Sequence, residues 1–348
     1  MKHKVLAGIL AGVLGLGIPA LLEAKLPSPL PGSATAQESG PPAASLPQAA
    51  PAAEPAAETV VTLPPADGCI LLDILRGDGT VMQLPMDEYL GGVLLAEMPA
   101  SFPLEAQKAQ AVVARTYALR QRVLGGKHEN ADLCTDPSCC QAWIRYEDYA
   151  EKEGEETAKS AATQAAQAVH ETDGLALFYE GALIDATYFS SSGGRTEAAV
   201  EVWGSDVPYL RSVDSPGEDG ALHDGETKSF SASELRDLLQ SIGPEARLSD
   251  DPQDWFGPMT ETEGGGVDEM EIGGVSFSGL ELRSLLGLRS TVFSVSVEGD
   301  TVSFTTHGNG HRVGMSQYGA KAMADSGSSC QEILAHYYPG TDLASAGA

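Results

Sequence analysis

Two constellations in this 348-residue sequence carry side chains able to do chemistry. The first is Glu97, in the run Tyr89-Leu90-Gly91-Gly92-Val93-Leu94-Leu95-Ala96-Glu97-Met98-Pro99. Leu90, Val93 and Leu94 share one face of a helix, and Pro99 disfavours helical backbone at Met98. Glu97 is therefore predicted in the last helical turn. There a carboxylate faces the negative end of the helix dipole. That position, with burial beside Met98, Pro99 and Phe102, disfavours the charged form and raises the pKa. A carboxyl still protonated near neutral pH suits a general acid. Taken alone, a glutamate at a helix end is more often plain surface.

The second constellation is His128 with Cys134-Thr135-Asp136-Pro137-Ser138-Cys139-Cys140. His128, Cys134 and Cys140 recur at intervals of six in a polar loop. Thiolates with an imidazole suit zinc, and three protein ligands leave a fourth position open. The alternative is disulfide formation, which an exported protein permits. Cys139 could replace Cys140 as a ligand or join a disulfide. Cys69 and Cys330 complete the five cysteines.

The elements that must position these groups are legible in part. Residues 69–75 and 80–84 read as two strands joined by the turn Arg76-Gly77-Asp78-Gly79. A second helix is predicted from Pro103, a good first-turn residue, to about Val123. Its small residues suit tight packing. Tyr188, Ser191, Ser192, Gly193 and Gly194 follow a strand-like run over 182–186, and the glycine pair lets backbone approach a ligand. His311, Ser316 and Gln317 lie among Gly308, Gly310 and Gly314, a loop that exposes backbone. Trp143, Tyr146, Tyr188 and Trp203 could stack on a ligand's rings or fill the core.

The wider organisation follows from composition. Lys2, His3 and Lys4 precede an apolar run over 5–22, read as an uncleaved membrane anchor within residues 1–25. Residues 26–67 are rich in Pro, Ala, Ser and Glu and read as a disordered linker. Residues 68–348 form the expected extracytoplasmic α+β domain, with two lobes around a cleft. An acidic insertion is expected over about 215–275, with a helix at 232–241. The formal net charge is −28, from 21 Lys+Arg against 49 Asp+Glu. That balance argues against nucleic acid as a partner.

Five blocks occur in a recognisable order. They are the stretch from Tyr89 through Glu97-Met98-Pro99 to Leu119, the block Tyr188-Phe189-Ser190-Ser191-Ser192-Gly193-Gly194-Arg195, residues 277–293, the block His311-Arg312-Val313-Gly314-Met315-Ser316-Gln317-Tyr318-Gly319, and residues 332–341. Together they resemble the stage II sporulation protein D family. The resemblance implies a membrane-anchored lytic transglycosylase cleaving peptidoglycan between N-acetylmuramic acid and N-acetylglucosamine. In spore formers its partner is an amidase that strips stem peptides during engulfment, between mother cell and forespore. It makes Glu97 the catalytic residue and assigns zinc near the active site to His128, Cys134 and Cys140. The glycan cleft is expected to draw on Tyr188, Ser191, Ser192, Gly193, Gly194, His311, Ser316 and Gln317. Two positions depart from the family pattern. Arg312 stands where relatives usually have Gly, and is expected to reach into the cleft. Ser190 stands where they often have His. The alternative functions are a zinc-dependent peptidoglycan hydrolase and a non-enzymatic glycan-binding module.

Overall fold

The computed structural model describes residues 67–346. The expected anchor, and all of the expected linker except Asp67, lie outside the described residues. Among the described residues no helix is long and apolar enough to cross a membrane. They form a mixed helix-and-strand fold, as expected of an α+β domain.

Leu71–Leu75 (β1) and Val81–Pro85 (β2) pair antiparallel, with Leu75 opposite Val81. Alternation along β1 buries Leu72 and Ile74 completely. Gly79, at φ 83°, lets the connecting turn close. Met86–Glu97 (α1) follows at once, with Asp87 and Glu88 at the positive end of its dipole. Met86, Tyr89, Leu90, Val93 and Leu94 are buried at helical spacing. The helix stops at Glu97 because Met98, which precedes Pro99, is extended at φ −115° and ψ 127°.

Leu104–Leu124 (α2) starts behind Pro103 and ends at Gly125, where φ is 85°. This helix serves two cores. Ala106, Ala109, Val112 and Val113 pack in one cluster with Leu177, Ile184, Met315 and Tyr337. Ala111, Ala114, Tyr117 and Ala118 join a second with Leu72, Leu90 and Leu94. A helix apolar on opposite faces must be buried, and its alanines let neighbouring elements approach closely. Arg115, fully buried on α2, grips both carboxylate oxygens of Asp67 and the Val169 and Leu175 carbonyls.

Leu133–Cys134 (β3) pairs in parallel with β1, which draws the cysteine loop to the first sheet. Tyr146–Glu153 (α3) packs on Glu155–Glu171 (α4), which in turn packs on α1 and α2. Leu175–Tyr179 (β4), Ala182–Leu183 (β5), Tyr188–Phe189 (β6) and Gly194–Arg195 (β7) come next. Ala199–Trp203 (α5) and Asp214–Ser215 (β8) complete this part.

Residues 226–307 build around a third core. They comprise Glu226–Ser231 (β9), Ala232–Ile242 (α6), Phe256–Glu261 (β10), Val267–Ile272 (β11), Val275–Ser278 (β12), Gly279–Leu286 (α7), Val292–Glu298 (β13) and Thr301–His307 (β14). The strands make two sheets, in the orders β10-β11-β12 and β13-β14-β9. Leu235, Leu239, Trp255, Ile272, Phe277, Leu282 and Phe304 are buried between these elements. Helices α6 and α7 each begin at a capping box, Ser231 with Glu234 and Ser278 with Glu281. The stretch 215–275, expected to carry an acidic insertion, contributes β9, α6, β10, β11 and the start of β12 to this unit, whose elements run on to residue 307. Its acidity is a surface property: on β11, Val267, Met270 and Ile272 face inward while Asp268, Glu269 and Glu271 are exposed.

Met315–Ser316 (β15) pairs in parallel with β6, setting Met315 beside Tyr188. Gln317–Asp325 (α8) and Cys330–Tyr337 (α9) follow, and Asp342–Ser345 (β16) pairs antiparallel with β4.

Candidate active site

Three elements converge on Glu97. Helix α1 ends at it, the loop after the cysteines runs past it, and the parallel pairing of β6 with β15 presents Tyr188 and Gln317. The Glu97 Oε1 accepts a hydrogen bond from the Ala142 N–H at 2.8 Å and from the Tyr188 hydroxyl at 3.0 Å. The Gln317 side chain supplies a third. Burial raises the Glu97 pKa above the usual carboxylate range, and the three hydrogen bonds pull it partly back. The direction and the part played by burial are legible in the sequence; the neutral donors are not. With Oε1 holding two donors, the acidic proton belongs on Oε2.

Behind these groups lies a layer of neutral amides and phenols. Gln141 is buried and donates to the Tyr89 hydroxyl at 3.2 Å and the Ala114 carbonyl at 3.4 Å. Its Oε1 faces the Tyr188 hydroxyl at 3.2 Å. Gln317 donates to Gln110 Oε1 at 3.4 Å. Burial pushes the Tyr188 phenol well above its ordinary pKa, so it acts as a hydrogen-bond donor and stays neutral.

The other expected substrate residues divide into those that line open space and those bonded internally. Ser191, Gly193 and Gly194 line a cavity of about 390 Å³ together with Glu218. The Ser191 hydroxyl is buried and has no hydrogen-bond partner among the described residues. Ser192 and Ser316 are fully buried. The Ser192 and Gly193 N–H groups donate to Glu218 Oε2, and the Ser215 and Ser316 hydroxyls to Glu218 Oε1 at 2.6 Å. Glu218 therefore fixes the serine-glycine loop to the start of α8, the helix that presents Gln317. Glycine is required at position 319 there, since a Cβ would come within 2.2 Å of the Ser215 and Tyr337 hydroxyls. The sequence held no signal for Glu218, one acid among many in a Gly-rich stretch.

His311 sits between Phe189 and Trp203, with ring centroids 5.7 and 5.3 Å away. Its Nδ1 accepts from the Val313 N–H at 3.1 Å. Burial pushes its pKa down to about 4, so the imidazole is neutral near pH 7. Arg312 does not reach into a cleft, contrary to expectation. It is 1% exposed and donates to the Ser192 and Arg195 carbonyls at 2.7 and 2.8 Å and to Glu197 Oε1 at 2.9 Å. Trp143 and Tyr146 line a cavity of about 620 Å³ with Leu84, Gly91 and Leu95; Glu97 is not among its lining residues.

The cysteine loop gathers four donors where three were expected. His128 Nε2 lies 3.5 Å from Cys140 Sγ and 3.7 Å from Cys139 Sγ, and the two sulfurs are 3.9 Å apart. With Cys134, all four ligand atoms fall within 4.8 Å of one another. A tetrahedron of ~2.3 Å metal–sulfur bonds has edges of roughly 3.7 Å, so the spacing fits a four-coordinate cation. All five cysteines are free thiols. The Cys139–Cys140 separation is far beyond the roughly 2.05 Å of a disulfide. A turn at Asp136 makes the cluster: its carbonyl accepts from both the Cys139 and Cys140 N–H groups. Cys140 leads directly to Gln141 and Ala142, so the donor set anchors the segment that bonds Glu97.

The sequence profile described as Stage II sporulation protein matches residues 76–179. The Stage II sporulation protein D of Bacillus amyloliquefaciens is 37% identical over 270 residues, covering 77% of this chain and 76% of that one. Its counterpart in Bacillus subtilis is 38% identical over 274 residues, covering 77% of each chain. An amidase enhancer of Bacillus subtilis is 34% identical over 74% of this chain and 40% of its own length. With identity of this order across three quarters of both chains, this protein belongs to the stage II sporulation protein D family.

Proposed function

We propose that the chain is a peptidoglycan lytic transglycosylase in which Glu97 acts first as acid and then as base. The observation that carries this reading is the neutrality of the surroundings of Glu97. The groups that set its charge state are an N–H, a phenol and an amide, and none is a carboxylate. A glycosidase that uses water or a covalent intermediate commonly needs a second carboxylate about 5–9.5 Å away. A transglycosylase needs one residue. The Glu97 proton passes to the glycosidic oxygen as its bond to the muramyl C1 breaks, and the N-acetylglucosamine leaves with a new hydroxyl. The Glu97 carboxylate then takes the proton of the muramyl C6 hydroxyl as that oxygen bonds to C1. A 1,6-anhydro ring forms, no water is consumed, and Glu97 ends protonated. The substrate's own acetamido group would stabilise the charge at C1. Mass spectrometry of products from peptide-free glycan strands should show anhydro-muramyl ends only. Products heavier by one water would make it a hydrolase, and binding without turnover would make it a glycan-binding module.

The names of the relatives, a sporulation protein and an amidase enhancer, support a place in sporulation with a wall amidase as partner; the family resemblance implies action on cell-wall strands already stripped of peptides. The basic-then-apolar N-terminus supports single-pass anchoring with the catalytic domain outside the cytoplasm.

His128, Cys134, Cys139 and Cys140 would hold zinc, with Cys139 as the fourth ligand. Four protein ligands leave no position for an activated water, so the zinc would supply structure, holding the segment 139–142 against Glu97. That argues against the zinc-dependent hydrolase. The purified full chain should carry about one zinc per molecule. Cobalt substitution should give the absorption of a tetrahedral thiolate site, and Cys139→Ser should weaken its thiolate charge-transfer bands. A spectrum unchanged in Cys139→Ser would exclude Cys139 as a ligand.

A further inference from the structure

We propose that Tyr188 and Gln141 form a pair that follows the protonation state of Glu97. Tyr188 donates to the Glu97 carboxylate, and it turns its proton to Gln141 when Glu97 is protonated. This rests on the reading of Glu97 as an acid that becomes a base, and it assigns Gln141 as a positioning residue acting through Tyr188.

The geometry poses a choice. A tyrosine hydroxyl has one proton, yet the Tyr188 hydroxyl lies within reach of two acceptors, Glu97 Oε1 at 3.0 Å and Gln141 Oε1 at 3.2 Å. It can serve only one at a time. The orientation of Gln141 is fixed by its other end, since Nε2 donates to the Tyr89 hydroxyl and the Ala114 carbonyl. A flipped amide would set its oxygen against that carbonyl, acceptor against acceptor, in a buried site. Gln141 therefore presents a standing alternative acceptor.

That alternative matters for a residue that must exchange its proton twice per turnover. In the carboxylate form, Oε1 is a strong acceptor for both Ala142 and Tyr188. Once the proton sits on Oε2, Oε1 becomes a weaker acceptor. Without Gln141, the Tyr188 hydroxyl would lose its best bond in that form, and the acid state would be disfavoured. With Gln141, the buried hydroxyl is satisfied in both states, and Glu97 moves between them at little cost.

Among the described residues no charged side chain shifts Glu97, and the Cys134 and Cys140 thiols act on Tyr89 and not on Glu97. The groups facing Glu97 from the 139–142 segment, from β6 and from α8 are the Ala142 N–H, Tyr188 and Gln317, backed by Gln141, Gln110 and Tyr89. The titratable ones, Tyr188 and Tyr89, are both held neutral by burial.

The test needs no substrate. The titration of Glu97 is read by pH-difference infrared spectroscopy of its carboxylic C=O stretch in the full metal-bound chain, with Glu97→Gln as the blank. Tyr188→Phe should move the midpoint up by about one unit, since a hydrogen bond to the charged form is lost. Gln141→Met should move it down by a similar amount, because Tyr188 is left with Glu97 alone. In the Tyr188→Phe background, Gln141→Met should change nothing further. An upward shift in Gln141→Met, or the same shift in both backgrounds, would overturn the proposal, because the effect would then be one of packing. If Gln141→Met does not fold, Tyr188→Phe still decides: an unmoved or lowered midpoint sinks the pair. A wild type that shows these shifts but does not cleave glycan would instead remove the transglycosylase reading and leave the pair standing.

Discussion

Glu97→Gln should reduce cleavage of peptide-free glycan strands by about 10³-fold or more in kcat, in line with the loss of a general acid and base. The substitution is nearly isosteric. Its amide oxygen can still accept from Ala142 and Tyr188, so the site keeps its shape. What it loses is the proton on Oε2 and the ability to take one back. Strand binding should stay close to wild type in a sedimentation assay, which separates lost chemistry from lost structure. Residual turnover within tenfold of wild type would remove Glu97 from its role and send the search to another carboxylate.

The same substitution should raise stability at neutral pH. Burial lifts the folded-state pKa of Glu97 above its ordinary value. A group raised in this way contributes stability that is fully present below its unfolded pKa, about 4.3, and lost as pH rises through the folded pKa. At pH 7 the unfolded chain carries Glu97 ionised, so folding must either take up a proton there or bury a poorly solvated charge, and the amide variant has neither cost. Glu97→Gln should melt above wild type at pH 7, and the gap should narrow toward pH 4. A functional site kept at some cost in stability is a common outcome.

What the sequence disclosed, and what it hid, divides along a physical line. The end of α1 at Glu97 and the extent of α2 depend on neighbours in sequence, on Leu90, Val93 and Leu94 and on the prolines at 99 and 103. Those were legible. The partners of Glu97 depend on pairings between distant segments. Tyr188 stands beside Met315 because β6 and β15 run in parallel, and no periodicity encodes that register. Ala142 contributes a backbone N–H, which leaves no trace in residue type. Spacing alone cannot say which of the vicinal thiols Cys139 and Cys140 turns inward; the Asp136 turn brings in both. The 226–307 unit was obscured by acids on the outer faces of its strands. Ser192 and Ser316 resemble ligand-binding residues in composition, yet they serve Glu218, an acid the sequence did not distinguish.

Arg312→Gly should destabilise this chain. Arg312 adopts φ 65°, a left-handed conformation that glycine takes freely. The exchange therefore relieves about 1–2 kcal/mol of backbone strain. Against this stands the burial of its partner. Glu197 is 1% exposed, its Oε1 accepts from Arg312 at 2.9 Å and from the Thr262 hydroxyl at 2.7 Å, and its Oε2 has no partner among the described residues. Removing one member of a buried ion pair costs roughly 3–5 kcal/mol, because the charge left behind is neither solvated nor paired. The Ser192, Arg195 and Gly264 carbonyls lose their donor as well. The net loss should be roughly 1–4 kcal/mol, a large share of the roughly 5–15 kcal/mol that holds a typical domain. Urea unfolding of the full chain measures it. Adding Glu197→Gln to Arg312→Gly should recover part of the loss, since a neutral amide tolerates burial better than an orphaned carboxylate. Arg312 ties the serine-glycine loop, through Ser192 and Arg195, to the 226–307 unit, through Gly264, and it stands one residue from His311. An Arg312→Gly variant as stable as wild type would show that backbone strain outweighs the ion pair and that the tie is dispensable.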